Sequence, residues 1–271
     1  MRAGWFIVSV VCSACGGATR PAPKPTAVVV PTAEEADEPA RVERPLAAAR
    51  APAATPLEAC AGELRQAREL SVAPEERALY DRALAHEESS ELAEARKSYY
   101  LLIRDHPRSR LIPLAYLAFG ELFAKDSVAD PSKWDLARVA YAEVLKYPPP
   151  DNVSFAYAAL RVADTRRVHD PGEALAQYKN ALEVAARYPT LPCSEVVRQS
   201  AEGGLIDSYV SVGHPGRAWG FLRAAAGDAR ARTLLRALAL RYQQAGKPAD
   251  ACAVARGAGG EGAELARAVC P

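Results

Sequence analysis

The run Leu205-Ile206-x-x-Tyr209-x-x-x-Gly213-x-x-x-x-Ala218 returns 33 residues later as Leu238-Ala239-x-x-Tyr242-x-x-x-Gly246-x-x-x-x-Ala251, with Pro215 and Pro248 at the same place in both copies. A fixed period of this size holds two helices and their turns, and signals an array of helical repeats. Leu, the small residue and Tyr share one face of a first helix. Gly is expected to end that helix by entering the left-handed conformation, which glycine reaches without penalty. Pro then suits the first turn of a second helix, where its missing N–H costs nothing. Ala three residues on is small, so the paired helices can approach closely.

Looser copies lie upstream. Ala95, Tyr99 and Pro107 form one, Ala137, Tyr141 and Pro149 another, and Ala174, Tyr178 and Pro189 a third, so the key alanines stand 42, 37, 44 and 33 residues apart. This spacing resembles the tetratricopeptide repeat over most of residues 75–256. The resemblance implies an all-α solenoid of about five degenerate helix pairs, occupying residues 57–271. It also implies a groove lined by the first helices, and Asp207, Arg236 and Gln243 are the residues it would place there for binding a partner. An unrelated helical bundle with Ala and Tyr in its core is the bland alternative.

Both ends depart from the average. Arg2, the apolar run Trp5 to Val11 and the small residues Ser13-Ala14 read as an export signal over residues 1–14. The run is too short to span a bilayer, which takes about 20 residues. Ser13-Ala14-Cys15 resembles the processing site of bacterial lipoproteins, implying lipidation at Cys15. Gly16 stands where an inner-membrane retention Asp would sit, so the resemblance implies an outer-membrane lipoprotein facing the periplasm of a Gram-negative cell. A plain secretory signal cut nearby is the other reading. Residues 15–56 read as a disordered Pro/Ala-rich tether. Eight of the chain's 21 prolines lie in residues 18–56, which hold no aromatic residue, and such a segment cannot offset the entropy of ordering.

In the remainder, Pro56 to Leu70 carries a helical stripe. Pro74 with Glu75-Glu76 starts the next helix, and Leu111 to Ala124 is apolar enough to be buried on more than one side. Asp130-Pro131 and Asp170-Pro171 read as two uses of one device, an N-capping Asp followed by Pro. The last helix, Glu261 to Val269, is expected to close the array's exposed end. Four thiols remain after processing at Cys15. Cys252–Cys270 would tie that closing helix to the last repeat and is the preferred disulfide. Cys60–Cys193 would have to link distant units, which is expected only if the first helix lies along the array.

No catalytic constellation is legible. The chain lacks HExxH, GxSxG and a Walker-type Gly-Lys loop, and His86, His106, His169 and His214 fall in different units near turns. Glu75-Glu76 and Glu87-Glu88 read as solvated helix ends. No cofactor and no metal are expected, since no CxxC spacing occurs in the mature chain. A net charge of +1 argues against bulk nucleic-acid binding. Between Arg217 and Arg256 stand eight Lys or Arg and only Asp228 and Asp250. That bias reads either as a solvated face or as an attraction for an acidic partner. The sequence thus points to a non-enzymatic scaffold that holds proteins or peptides of the cell envelope. Two alternatives stay open: an accessory subunit of a cell-wall enzyme or motility complex, and a helical hydrolase with a site that shows no motif.

Overall fold

The computed structural model describes residues 55–66 and 70–271. The export signal, Cys15 and all of the tether ahead of Thr55 lie outside the described residues. Among the described residues all regular structure is helical: α1 Pro56–Gln66, α2 Pro74–Glu88, α3 Leu92–Asp105, α4 Ile112–Asp126, α5 Lys133–Val144, α6 Phe155–Asp164, α7 Pro171–Arg187, α8 Ser194–Val212, α9 Ala218–Gln244, α10 Pro248–Gly257 and α11 Ala263–Val269. No helix among them is long and apolar enough to cross a membrane.

Chain neighbours pack on one another from α2 to α11, and α6 with α8 and α7 with α9 add next-but-one contacts. Each upstream alanine–tyrosine pair is at the centre of this packing. Ala95, Ala137, Ala174, Ala218 and Ala251 are completely buried, as are Tyr99 and Tyr141, with Tyr178 close behind. Small residues let the helix axes come close, and the rings fill the space against neighbouring helices, Tyr141 over Gly120 of α4 and Tyr178 over Gly204 of α8. α4 is buried on several sides, with Ile112, Leu114, Leu117, Ala118 and Leu122 all in the core.

Local chemistry sets the helix ends, and in three places it differs from the sequence expectation. Asp170 caps α7 as expected, its side chain accepting from the Glu173 amide at 2.9 Å. Asp130 does not cap α5. Its carboxylate accepts from the Ser132 amide and hydroxyl within a turn, at 3.0 and 2.7 Å, and the helix begins only at Lys133. Gly246 takes the left-handed conformation (φ +72°), whereas Gly213 is extended (φ −77°, ψ 157°). Gly213 is required for space instead. A Cβ there would stand 2.6 Å from Cγ of Tyr209, whose ring crosses the chain to donate to the His214 carbonyl at 2.8 Å. The third difference is Gly227 (φ +75°, ψ 164°), which breaks α9 into arms of residues 218–226 and 228–244. Phe221 on the first arm packs on Tyr209 of α8, ring centroids 4.9 Å apart.

α1 departs from chain order. It packs against α8 and α4, and a disulfide joins Cys60 to Cys193, 133 residues away. α1 thus lies across several helices rather than against one chain neighbour. A second disulfide joins Cys252 to Cys270, holding α11 on α10.

Candidate binding face

The second helix of each upstream pair sends its buried tyrosine to a carboxylate on the helix before it. Tyr99 on α3 donates to Glu87 Oε1 on α2 at 2.6 Å. Tyr141 on α5 donates to Glu121 Oε1 on α4 at 2.8 Å, and Tyr178 on α7 to Asp164 Oδ1 on α6 at 2.7 Å. Burial, reinforced by the neighbouring carboxylate, pushes the phenols of Tyr99 and Tyr178 well above their ordinary range, and burial raises Tyr141 likewise. The hydroxyls therefore stay neutral donors. Arginines close the same groups from the outside. Arg65 of α1 pairs with Glu87. Arg161 of α6 pairs with Glu121 at 2.9 Å and with Asp164 at 2.9 Å, and its guanidinium lies 5.4 Å from the centre of the Tyr141 ring.

This ladder overturns the reading of Glu87 as a solvated helix end. Its side chain is only 13% exposed, because Arg65 and Tyr99 both satisfy it. Glu76 is likewise engaged, accepting from the Ser109 hydroxyl at 2.7 Å. The acid–tyrosine spacing differs in every pair, so no periodic signal marks it in the sequence. Chemically the ladder is a set of neutralised, hydrogen-bonded charges, suited to fixing helix register and to presenting a polar edge.

The residues singled out for the groove engage different neighbours. Asp207 on α8 pairs with Arg241 on α9 at 2.8 Å and is about one-third exposed. Arg236 is exposed and pairs with Glu264 on α11 at 3.2 Å. Gln243 is exposed on the second arm of α9. The basic window is offset by acids from elsewhere in the chain: Glu202 holds Arg230, Glu261 holds Arg232, and Asp207 and Glu264 hold Arg241 and Arg236. Cys252 on α10 and Cys270 at the end of α11 form their disulfide.

The histidines stay apart. His86 bonds Glu91 at 2.6 Å, His106 stands 3.9 Å from Glu76, and His169 and His214 are exposed. No cluster of three His, Cys, Asp or Glu able to hold a metal occurs among the described residues. A cleft of about 230 Å³ lies where the α3–α4 turn meets the chain after α5, lined by Pro107, Arg110, Pro113, Tyr147 and Asp151. Two of its charged side chains, Arg110 and Asp151, meet at 3.2 Å, and Arg108 also lines it.

No protein-family model, no curated protein and no solved structure matches this chain.

Proposed function

We propose that this chain is a non-catalytic docking scaffold of the cell envelope, built as a tetratricopeptide-type array of five helix pairs and carried on a lipid anchor at Cys15. On this reading the pairs are α2 with α3, α4 with α5, α6 with α7, α8 with residues 218–226, and residues 228–244 with α10. The observation that carries it is the stacking of one copy of the repeat on the other. Leu205 and Leu238 are completely buried, Tyr209 and Tyr242 almost so, and Ala218 and Ala251 completely. The Tyr242 hydroxyl donates to the Tyr209 carbonyl across the 33-residue offset. The like burial of these three positions in both copies supports the array reading.

The partner is a peptide or amphipathic helix of an envelope protein, recognised by an apolar stripe and by charges opposite to those on the face. Asp207, Arg236 and Gln243 are its contacts, and the tether sets the volume the array can search.

A photo-crosslinking residue placed at Gln243 in cells of the native host is expected to capture a discrete partner, and the same residue at Val139, half-exposed on α5, to capture none. Equal labelling at both positions, or none at Gln243, refutes the docking reading. The anchor has its own test in palmitate incorporation, which Cys15→Ser should abolish.

A further inference from the structure

Few buried side chains and one disulfide hold α1. Only Cys60 and Leu64 are fully buried, and Leu57 and Ala61 are partly so. Its last turn adds two polar ties to α2. The Tyr80 hydroxyl donates to the Arg65 carbonyl at 2.7 Å, and the Arg65 guanidinium pairs with Glu87. So small a footing leaves the Cys60–Cys193 bond as the tie that decides whether α1 stays.

Cys193 is itself an unusual residue for its position. It has φ +64°, in the left-handed region where glycine is the default, and it precedes α8 without making a side-chain cap. A non-glycine residue persists there when its surroundings over-determine it. Here the turn is fixed by the Ser194 hydroxyl donating to the Tyr188 carbonyl at 2.8 Å and by the sulfur bond to α1. Cys193 is partly buried while Cys60 is fully buried, so Cys193 is the more open side of the pair.

We propose that α1 is a removable occupant of a helix-docking groove on α2, α4 and α8, and that opening Cys60–Cys193 admits in its place a partner helix of the same pattern. This groove is a second docking site beside the face proposed above, and the proposal names its occupant class and its control. The partner pattern is apolar or small side chains at i, i+3, i+4 and i+7 with a cation at i+8, as in Leu57, Cys60, Ala61, Leu64 and Arg65. That cation is required. When α1 leaves, Glu87 loses a counter-ion and Tyr80 loses its acceptor, and an unsatisfied buried polar group is costly.

The chemical step is a thiol–disulfide exchange with a dithiol reductant. One thiolate of the reductant attacks the Cys193 sulfur, and Cys60 leaves as a thiolate and takes up a proton. The second reductant thiol then closes the reductant's own disulfide and frees Cys193. Two electrons pass from the reductant to the pair.

The test uses the full chain and a fluorescent peptide of residues 55–66, its cysteine activated as a thiopyridyl disulfide. A scrambled peptide with the same cysteine is the control. Cys60→Ser leaves Cys193 free, and the site of capture is mapped by mass spectrometry. Cys193 is expected to capture the cognate peptide about tenfold faster than the scrambled one, a ratio equivalent to about 1.4 kcal/mol. Wild type should capture it after reduction and not before. Adding Leu64→Asp, which weakens the resident α1, should raise capture further.

Equal rates for the two peptides in both Cys60→Ser and reduced wild type overturn the proposal, as does capture unaltered by Leu64→Asp. Selective peptide capture with no envelope partner at Gln243 would instead refute the docking function and leave the groove standing.

Discussion

Two adjacent glycines in α8 should respond to the same substitution with opposite signs. Gly203 and Gly204 both lie inside the helix, where Ala is more favourable than Gly by about 1 kcal/mol. A Cβ at Gly203 meets nothing within 4 Å, so Gly203→Ala should realise most of that gain. A Cβ at Gly204 would instead stand inside 3 Å of three ring atoms of Tyr178, and the farthest of them, Cε2, would be at 2.7 Å. Even that atom must withdraw by about 0.7 Å to restore an ordinary 3.4 Å contact, the nearer ones by more. The ring has little room, since Tyr178 is 1% exposed and its hydroxyl is tied to Asp164 at 2.7 Å.

Overpacking a full site costs about 1–3 kcal/mol, and losing the phenol–carboxylate bond adds about 1–3 kcal/mol. The helix-propensity gain is therefore outweighed, and Gly204→Ala should destabilise by about 1–5 kcal/mol. At about 2–4 °C per kcal/mol for a domain of this size, thermal unfolding by circular dichroism should fall by about 2–20 °C for Gly204→Ala and rise by about 2–4 °C for Gly203→Ala. Tyr178→Leu should remove most of the difference between the two. Shifts of the same sign at both positions would refute the claim that α8 is pressed onto the Tyr178 ring.

Alkaline titration reads the ladder. Tyr80, Tyr99, Tyr141, Tyr157 and Tyr178 all have phenols raised above the ordinary 10.0, burial being the main cause. A raised folded-state value keeps its stabilising effect below pH 10 and loses it as the pH climbs from there toward the folded value. Tyrosinate absorbance and helical signal should therefore change together above pH 10; phenols ionising while the helices persist would contradict the burial. Asp170→Ala should cost about 1 kcal/mol in chemical denaturation by removing the α7 cap, while Asp130→Ala, which caps nothing, should cost clearly less. Replacing Cys252 and Cys270 together removes a loop of 18 residues, for which the chain-entropy model gives about 3 kcal/mol. Limited proteolysis should then cut first at α11, and cleavage starting elsewhere would refute its dependence on that bond.

The sequence made the helices legible where a residue acts on its own element. Pro74, Pro171 and Pro248 each open a helix, and the paired Leu, Tyr and Ala of the 33-residue copies are buried alike. It concealed whatever depends on a partner at irregular distance. Glu87, Glu121 and Asp164 precede their tyrosines by unequal intervals, so the ladder has no period to detect. The arginines after residue 217 read as a basic patch because Glu202, Glu261 and Glu264, which hold three of them, fall outside the window. Gly213 and Gly246 carry the same letter for different reasons, one for space against a ring and one for a left-handed turn. Only the neighbouring side chain separates the two cases. The fold-back of α1 had no local signal beyond a single cysteine.

The Cys60–Cys193 bond also sets the mechanical route through the molecule. A pull on the chain ahead of Cys60 is handed by sulfur directly to the start of α8, so the 133-residue circuit between the two cysteines carries no tension. The helices from α2 to α7 are thereby shielded from being peeled off one by one. Stress reaches only α1 and the stretch from α8 onward.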